Sequence, residues 1–272
     1  MAVDFLTRCR RGSETADPAR ALLGVLGLAH AAAAVLATLA PALAWPWPLP
    51  PLHARCIAAL QVAAAGAWLL AARERDAAAR RIPLAQLLAG ALCTLVLVAV
   101  RRPELSAAGW GWLALQVLSA VGAGACLWLQ AELQAPAERP DRAWLACGAA
   151  AGAMAALLAF DPAHAARLWP WPLGPRPALL YAGPLAGWAV ALVMLARERR
   201  RGVRAPVLWG LLPLGPLVVL ASALHLGAFH HPAAGTAWAA AFGALSVLTV
   251  RRLRRARPSV PPAAPRRPPA PP

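Results

Sequence analysis

Eight long apolar segments dominate this sequence, and none of them contains Asp, Glu or Arg. They occupy residues 21–44, 56–72, 82–100, 105–131, 143–160, 177–196, 205–229 and 232–250. A bilayer core of about 30 Å is crossed by roughly 20 apolar residues in a helix, with about 17 to 25 accepted. Because lipid cannot hydrogen-bond to backbone groups, each segment is expected to be a helix. The sequence therefore predicts an all-α, polytopic membrane helix bundle with eight transmembrane helices.

The composition agrees with a membrane protein and not with a soluble, nucleic-acid-binding one. Charged residues make up 14% of the chain and hydrophobic residues 60%, whereas soluble domains average about a quarter charged. The net charge is +16, and every basic residue is Arg. These arginines lie in the loops and tails, where the positive-inside rule accounts for them. We therefore expect the lipid bilayer as partner and no nucleic acid.

The chain also contains an internal duplication, marked by a W-P-W-P-L motif that occurs twice. The two copies start at Trp45 and Trp169, and 169 minus 45 gives an offset of 124. An R-E-R triplet recurs at the same offset, starting at Arg73 and Arg197. The offset shifts slightly further along, as expected for insertions in loops. The interpretation is two tandem repeats of four helices each.

Arginine counts predict the orientation. The two termini and the connections after the even-numbered spans hold 22 Arg, and the other connections hold five. This split places both termini in the cytoplasm, and four spans per half make the repeats parallel. The predicted organisation is a cytoplasmic N-terminus (1–20), a first repeat (21–131), a cytoplasmic linker (132–142), a second repeat (143–250) and a disordered, basic, Pro-rich cytoplasmic tail (251–272). Abundant Ala, Gly and Pro with Arg as the only basic residue favours a bacterial cytoplasmic (inner) membrane, where the tail would attract anionic lipid headgroups.

Both motif copies are predicted to lie at the outer face, just after the first span of each half. Trp prefers the membrane interface, and alternating Pro prevents a helix from continuing. The expected result is a stiff corner at headgroup level, with a gate or a partner-docking surface as the functional alternative. The residues concerned are Trp45, Pro46, Trp47, Pro48, Trp169, Pro170, Trp171 and Pro172.

Small residues and prolines predict local features of the later spans. G-x-x-x-G pairs allow helices to approach closely, and two occur, at Gly148 and Gly152 and at Gly183 and Gly187. A kink is predicted in the seventh span, where Pro213, Gly215 and Pro216 lie close together.

A difference between the halves marks the candidate site. Polar residues of the first half align with apolar ones of the second: His30 with Met154, Arg55 with Leu179, Gln61 with Leu185, Gln86 with Trp209 and Gln116 with Phe242. Polar side chains near the midplane usually face the bundle interior. The candidate intramembrane site is therefore His30, Gln61 and Gln116, with Arg55 at its mouth as an anion contact. The alternative is that these side chains satisfy one another as interhelical hydrogen bonds.

Catalytic signals are missing from the sequence. Every acidic residue lies in a loop or tail, and no nucleotide-binding, metalloprotease or serine-hydrolase motif occurs. His53, His164, His230 and His231 gather in the predicted outer connections, but without metal-ligand spacing. We therefore expect no enzyme activity, no metal and no cofactor.

The corner motif also carries a resemblance. Followed by Pro51, Leu52, Ala54 and Arg55, the first W-P-W-P-L resembles a corner in uncharacterised bacterial integral membrane proteins of similar size. The second copy departs from this pattern at Gly174, which confines any role of Arg55 to the first half. The resemblance implies a membrane protein and no particular activity, substrate or cofactor.

Three functions stay open from the sequence. The first is a non-enzymatic structural or interaction role, and the second is a transporter or small-molecule binder with its site between the repeats. The third is a membrane-embedded enzyme or redox protein that would use His30 or His225 as a cofactor ligand. A cavity lined by His30, Gln61 and Gln116 would favour the second function, whereas a dry, tightly packed seam would favour the first.

Overall fold

The computed structural model describes residues 17–40, 49–130 and 140–255. Within these ranges the chain is helical and forms no strand. Two 3₁₀ turns, Ala77–Arg80 and Leu226–Ala228, join some of the helices. The α-helices are α1 (Pro18–Leu39), α2 (Pro51–Arg73), α3 (Arg81–Arg101), α4 (Ala107–Leu129), α5 (Arg142–Phe160), α6 (Pro162–Leu168), α7 (Pro175–Arg197), α8 (Arg201–Leu211), α9 (Leu214–Ala223) and α10 (Pro232–Arg255).

The predicted all-α membrane fold is confirmed. Eight helical segments are long and apolar enough to cross a bilayer, with α8 and α9 together forming one of them, Arg201–Ala223. The short α6 follows α5 at one end of the bundle. The chain is therefore a multi-pass membrane protein.

Asp and Pro residues set the helix starts. Asp17, Asp141 and Asp161 each cap a helix by accepting a backbone N–H, and the distance from Asp161 Oδ1 to the His164 nitrogen is 3.0 Å. α2 and α7 instead begin with Pro, whose missing N–H costs nothing at a first helical position.

The structure corrects three predicted boundaries. α2 begins at Pro51, five residues before the predicted start at 56, so His53 and Arg55 are helical. The seventh span is interrupted at Pro213, as the kink prediction required, but its helix ends at Ala223 and not at 229. Helix α10 runs through 251–255, which were assigned to the tail. The rest of the tail, 256–272, lies outside the described residues, as do 1–16 and most of the linker.

The two predicted halves interlock. α1 packs on α2, and α5 packs on α7, as expected for neighbours in sequence. However, α3 makes its largest contact with α7, and α8 and α9 pack on α2. The third span of each half therefore packs on the second span of the other half. The space between the halves is a shared core, with α2 and α7 at its centre.

Glycines allow the closest crossings in this core. A Cβ atom at Gly187 of α7 would lie 2.7 Å from the Gln86 carbonyl oxygen of α3, and one at Gly90 would lie 3.2 Å from the Gly183 oxygen. A Cβ at Gly148 of α5 would lie 2.9 Å from Val193 Cγ2. The predicted close approach is confirmed at Gly148 and Gly187, where larger residues would force the helices apart.

Candidate functional site

A cavity of about 60 Å³ lies among α1, α2, α3, α4 and α7. Gln61 lies halfway along α2 and Gln116 nearly halfway along α4, which places the cavity near mid-depth of the bundle. The lining combines polar side chains with indole rings and aliphatic walls. It consists of His30, Leu60, Gln61, Ala64, Trp68, Gln86, Leu87, Gly90, Ala91, Thr94, Trp112, Gln116, Leu180, Pro184, Gly187 and Trp188.

The structure brings together three of the four residues that the sequence singled out. His30, Gln61 and Gln116 come from three different helices and line this one cavity. Gln86 and Thr94 of α3 join them, and the sequence-based site lacked both. Gln86 belongs to the same polar-to-apolar series between the halves, so the signal for it was present in the sequence.

The imidazole of His30 is held in one orientation. Its Nδ1 lies 2.9 Å from the Leu26 carbonyl oxygen, one helical turn earlier, and the residue is buried. A neutral imidazole has one donor and one acceptor, so donation from Nδ1 leaves Nε2 as the acceptor. The ring meets Trp68 edge-on, with centroids 4.8 Å apart. His30 therefore presents a fixed acceptor rather than a mobile side chain.

Two glutamines in the cavity wall differ in their hydrogen bonding. Trp68 Nε1 donates to Gln86 Oε1 at 3.2 Å, which fixes the amide of Gln86. Gln61 Oε1 is buried, and no protein group in the described ranges donates to it. A buried acceptor without a donor is costly. The alternative in which the polar residues satisfy one another therefore leaves Gln61 unexplained.

The lining defines the kind of molecule that fits. It offers three carboxamides, an imidazole and a hydroxyl, and the lining residues named above include no carboxylate and no guanidinium. An ion at mid-membrane depth needs a charged partner or a hydrated path. The volume of about 60 Å³ is enough for roughly four groups of the size of water. The cavity thus suits a small, uncharged molecule that both donates and accepts hydrogen bonds.

Arg55 is not among the residues that line this cavity. It precedes Gln61 by six residues, about 9 Å along α2, and it hydrogen-bonds to His225 Nε2 after α9. Burial and the positive charge of Arg55 lower the pKa of His225, so its neutral, accepting form is favoured. The expected role of Arg55 as the anion contact of the polar site therefore stays a prediction. It links α2 to the seventh span.

The second W-P-W-P-L corner is buried in aromatic side chains. Trp169 and Trp171 are 3% and 1% exposed, and both pack against Trp238, with centroids 5.4 and 5.1 Å away. Trp171 Nε1 donates to His53 Nδ1 at 3.2 Å, and His53 Nε2 lies 2.9 Å from the Pro172 oxygen. These two indoles therefore pack inside the protein, and the expected place of the corner at headgroup level stays a prediction. Residues Trp45, Pro46, Trp47 and Pro48 of the first copy lie outside the described residues.

The histidines expected in outer connections are dispersed. His53 is buried inside α2, and His164 lies in α6. Within the part of the chain that the structure describes, no three His, Cys, Asp or Glu residues come close enough to hold a metal ion.

Comparison with protein-family models, with curated proteins and with solved structures found no match. The function of this chain therefore has to be argued from the chemistry of its own sites.

Proposed function

We propose that this protein binds a small, uncharged, hydrogen-bonding molecule in the cavity around His30, Gln61 and Gln116. The observation that carries the proposal is the convergence of polar side chains from separate helices on one mid-membrane cavity, where Gln61 keeps an unpaired acceptor. A bound molecule that donates to Gln61 Oε1 would remove that cost. The role is that of a binder or transporter, without enzymatic chemistry.

The cavity size limits the affinity. Four or five non-hydrogen atoms gain at most about 1.5 kcal/mol each, or roughly 6 to 7.5 kcal/mol in total. This corresponds to a dissociation constant of about 3 μM or weaker. Solutes such as urea, formamide and acetamide are suitable probes, at millimolar concentrations.

We also propose that the chain lies in a bacterial inner membrane as two parallel repeats, with both termini in the cytoplasm. Matching helix ends support the duplication. Asp17 and Asp141, 124 positions apart by subtraction, cap α1 and α5, and α2 and α7 both end at an Arg followed by Glu. Alkaline phosphatase and fluorescent-protein fusions after Arg75 and Arg102 test the orientation. The fluorescent protein fused after Arg75 should fluoresce, and alkaline phosphatase fused after Arg102 should be active.

Thermal unfolding in detergent with each probe solute tests the binding proposal. A ligand that binds only the folded state, present at a concentration about a hundred times its dissociation constant, stabilises that state by about 2.7 kcal/mol. We expect at least one solute to raise the midpoint of the wild type, and Gln61→Leu and Gln116→Leu to abolish the rise. Thr236→Val changes an exposed polar residue outside the cavity and should leave the rise intact.

A permeability assay separates a binder from a transporter. Proteoliposomes containing the wild type should equilibrate the stabilising solute faster than protein-free liposomes if the cavity is part of a pathway. If no solute stabilises the protein, the binding proposal fails, and a structural or interaction role is favoured instead.

A further inference from the structure

A second feature lies on the outside of the bundle, apart from the polar cavity. An apolar groove of about 750 Å³ runs between α3, α5 and α7. On α5 the groove is lined by four small residues, Gly152, Ala155, Ala156 and Ala159, and by Phe160 at the end of the helix. Its rims carry larger apolar side chains, among them Val96, which is 58% exposed. The small side chains of α5 therefore leave the space that forms the groove.

One end of the groove is positively charged. A pocket of about 260 Å³ adjoins it and shares Leu97, Arg101 and Ala159 with the groove lining. Arg176 also lines this pocket, and its lining includes no acidic residue. Arg101 Nη2 donates to the Ala159 carbonyl oxygen at 2.7 Å, which holds the guanidinium at the rim.

The groove has the depth of one lipid leaflet. Along α3 it extends from Leu92 to Arg101, nine residues or about 14 Å of helix. Half of a hydrocarbon core is about 15 Å. Arg101 ends α3, and Arg176 is the second residue of α7, so both lie where the helices leave the hydrocarbon. An acyl chain in the groove would place its headgroup beside the two guanidinium groups.

We propose that this groove binds an anionic phospholipid from the surrounding membrane, with one acyl chain against α5 and the phosphate against Arg101 and Arg176. Charge complementarity identifies the occupant. The pocket offers two cations, the groove offers apolar surface, and an anionic phospholipid carries both matching parts. Arg guanidinium groups bind phosphate through strong, charge-assisted and often bidentate hydrogen bonds.

Native mass spectrometry of the purified full chain, titrated with phosphatidylglycerol or with phosphatidylcholine, tests the proposal. We expect phosphatidylglycerol to bind the monomer more tightly than phosphatidylcholine does. Arg101→Gln combined with Arg176→Gln should weaken phosphatidylglycerol binding on the order of 25-fold, from the loss of two headgroup contacts. The matched control combines Arg102→Gln with Arg167→Gln. These are exposed arginines at the same end of the bundle, and they line neither the groove nor the adjoining pocket. This control should bind phosphatidylglycerol like the wild type.

A second pair of variants tests the groove without touching a charge. Ala156→Phe fills the groove and should weaken phosphatidylglycerol binding at least fivefold. Ala153→Phe adds the same ring to the same helix at an exposed position outside the groove lining and should bind normally. Equal loss in the test and control variants would overturn the proposal.

Three further outcomes would also overturn it. Equal affinity for the two phospholipids would remove the role of the headgroup charge. Complete displacement of phosphatidylglycerol by millimolar inorganic phosphate would make the pocket a site for free anions. A dimer that Ala156→Phe dissociates would show that a second copy of the chain covers the groove.

Discussion

Replacing Gln61 by Leu is expected to stabilise the protein while it abolishes ligand binding. Leu is the residue at the corresponding position of the second half, Leu185. Gln61 Oε1 is buried and has no donor among the residues that the structure describes, and an unsatisfied buried polar group costs about 1 to 3 kcal/mol. A Leu side chain of similar length removes that cost. We therefore expect a gain of about 1 to 2 kcal/mol in the free energy of unfolding.

Gln86→Leu is the matched comparison, because both residues are glutamines in the wall of the same cavity. Gln86 Oε1 accepts from Trp68 Nε1 at 3.2 Å. Its loss leaves the indole N–H of Trp68 buried and unpaired, which costs about 1 to 3 kcal/mol. The same substitution should therefore have opposite effects at the two positions.

The midpoint of thermal unfolding in detergent, followed by circular dichroism, measures both effects. A change of about 1 kcal/mol in the free energy of unfolding shifts the midpoint by about 2 to 4 °C in proteins of about 150 to 250 residues. The midpoint should rise by about 2 to 8 °C for Gln61→Leu and should fall for Gln86→Leu. A fall for both variants would refute the argument, because it would mean that Gln61 makes a stabilising hydrogen bond in the resting protein.

Three further predictions concern residues that hold the bundle together. Asp161→Ala removes only a helix cap and should lower the free energy of unfolding by about 1 kcal/mol. Asp141→Ala removes a helix cap and also the ion pair with Arg252 at 2.8 Å, so it should cost about 3 kcal/mol in the same unfolding assay. Equal costs would contradict a role for the ion pair. His53→Phe leaves the Trp171 indole N–H without its acceptor and should cost about 1 to 3 kcal/mol, measured as a lower unfolding midpoint; an unchanged midpoint would show that this bond does not matter. The lowered pKa of His225 means that the unfolded chain binds a proton at this residue more readily than the folded one. The stabilising contribution of neutral His225 is therefore present above about pH 6.5 and is lost as the pH falls below that value. His225→Asn should weaken this pH dependence in unfolding midpoints measured from pH 5 to 8, and a profile identical to that of the wild type would contradict the assignment.

Hydrophobic patterning was sufficient to predict the eight spans, because the bilayer imposes a minimum length on each helix. It failed where a helix end depends on individual residues. Pro51 starts α2 ahead of His53 and Arg55, which looked too polar for a span. These two residues are buried or partly buried by contacts with the second half. Such distant partners cannot be recognised from local composition.

The candidate site was predicted in part. His30, Gln61 and Gln116 were found because a polar side chain at mid-membrane depth is costly and needs an interior position. Arg55 contacts His225 and is not a lining residue of the cavity, because depth along a helix does not determine which neighbour a side chain meets. Trp188, which lines the cavity from α7, was missed because the interlocking of the halves cannot be read from two aligned repeats. The buried corner at Trp171 was missed for the same reason.

The central claim is that the polar cavity is a binding site for a small, uncharged molecule. The most direct test is an experimental structure in lipid nanodiscs, determined with the solute that most stabilises the protein. The account predicts density for that solute in the cavity, within hydrogen-bonding distance of Gln61 Oε1 and contacting His30 or Gln116. A cavity closed by Trp68 and Trp188, with Gln61 hydrogen-bonded to Gln116 and the solute elsewhere, would contradict it.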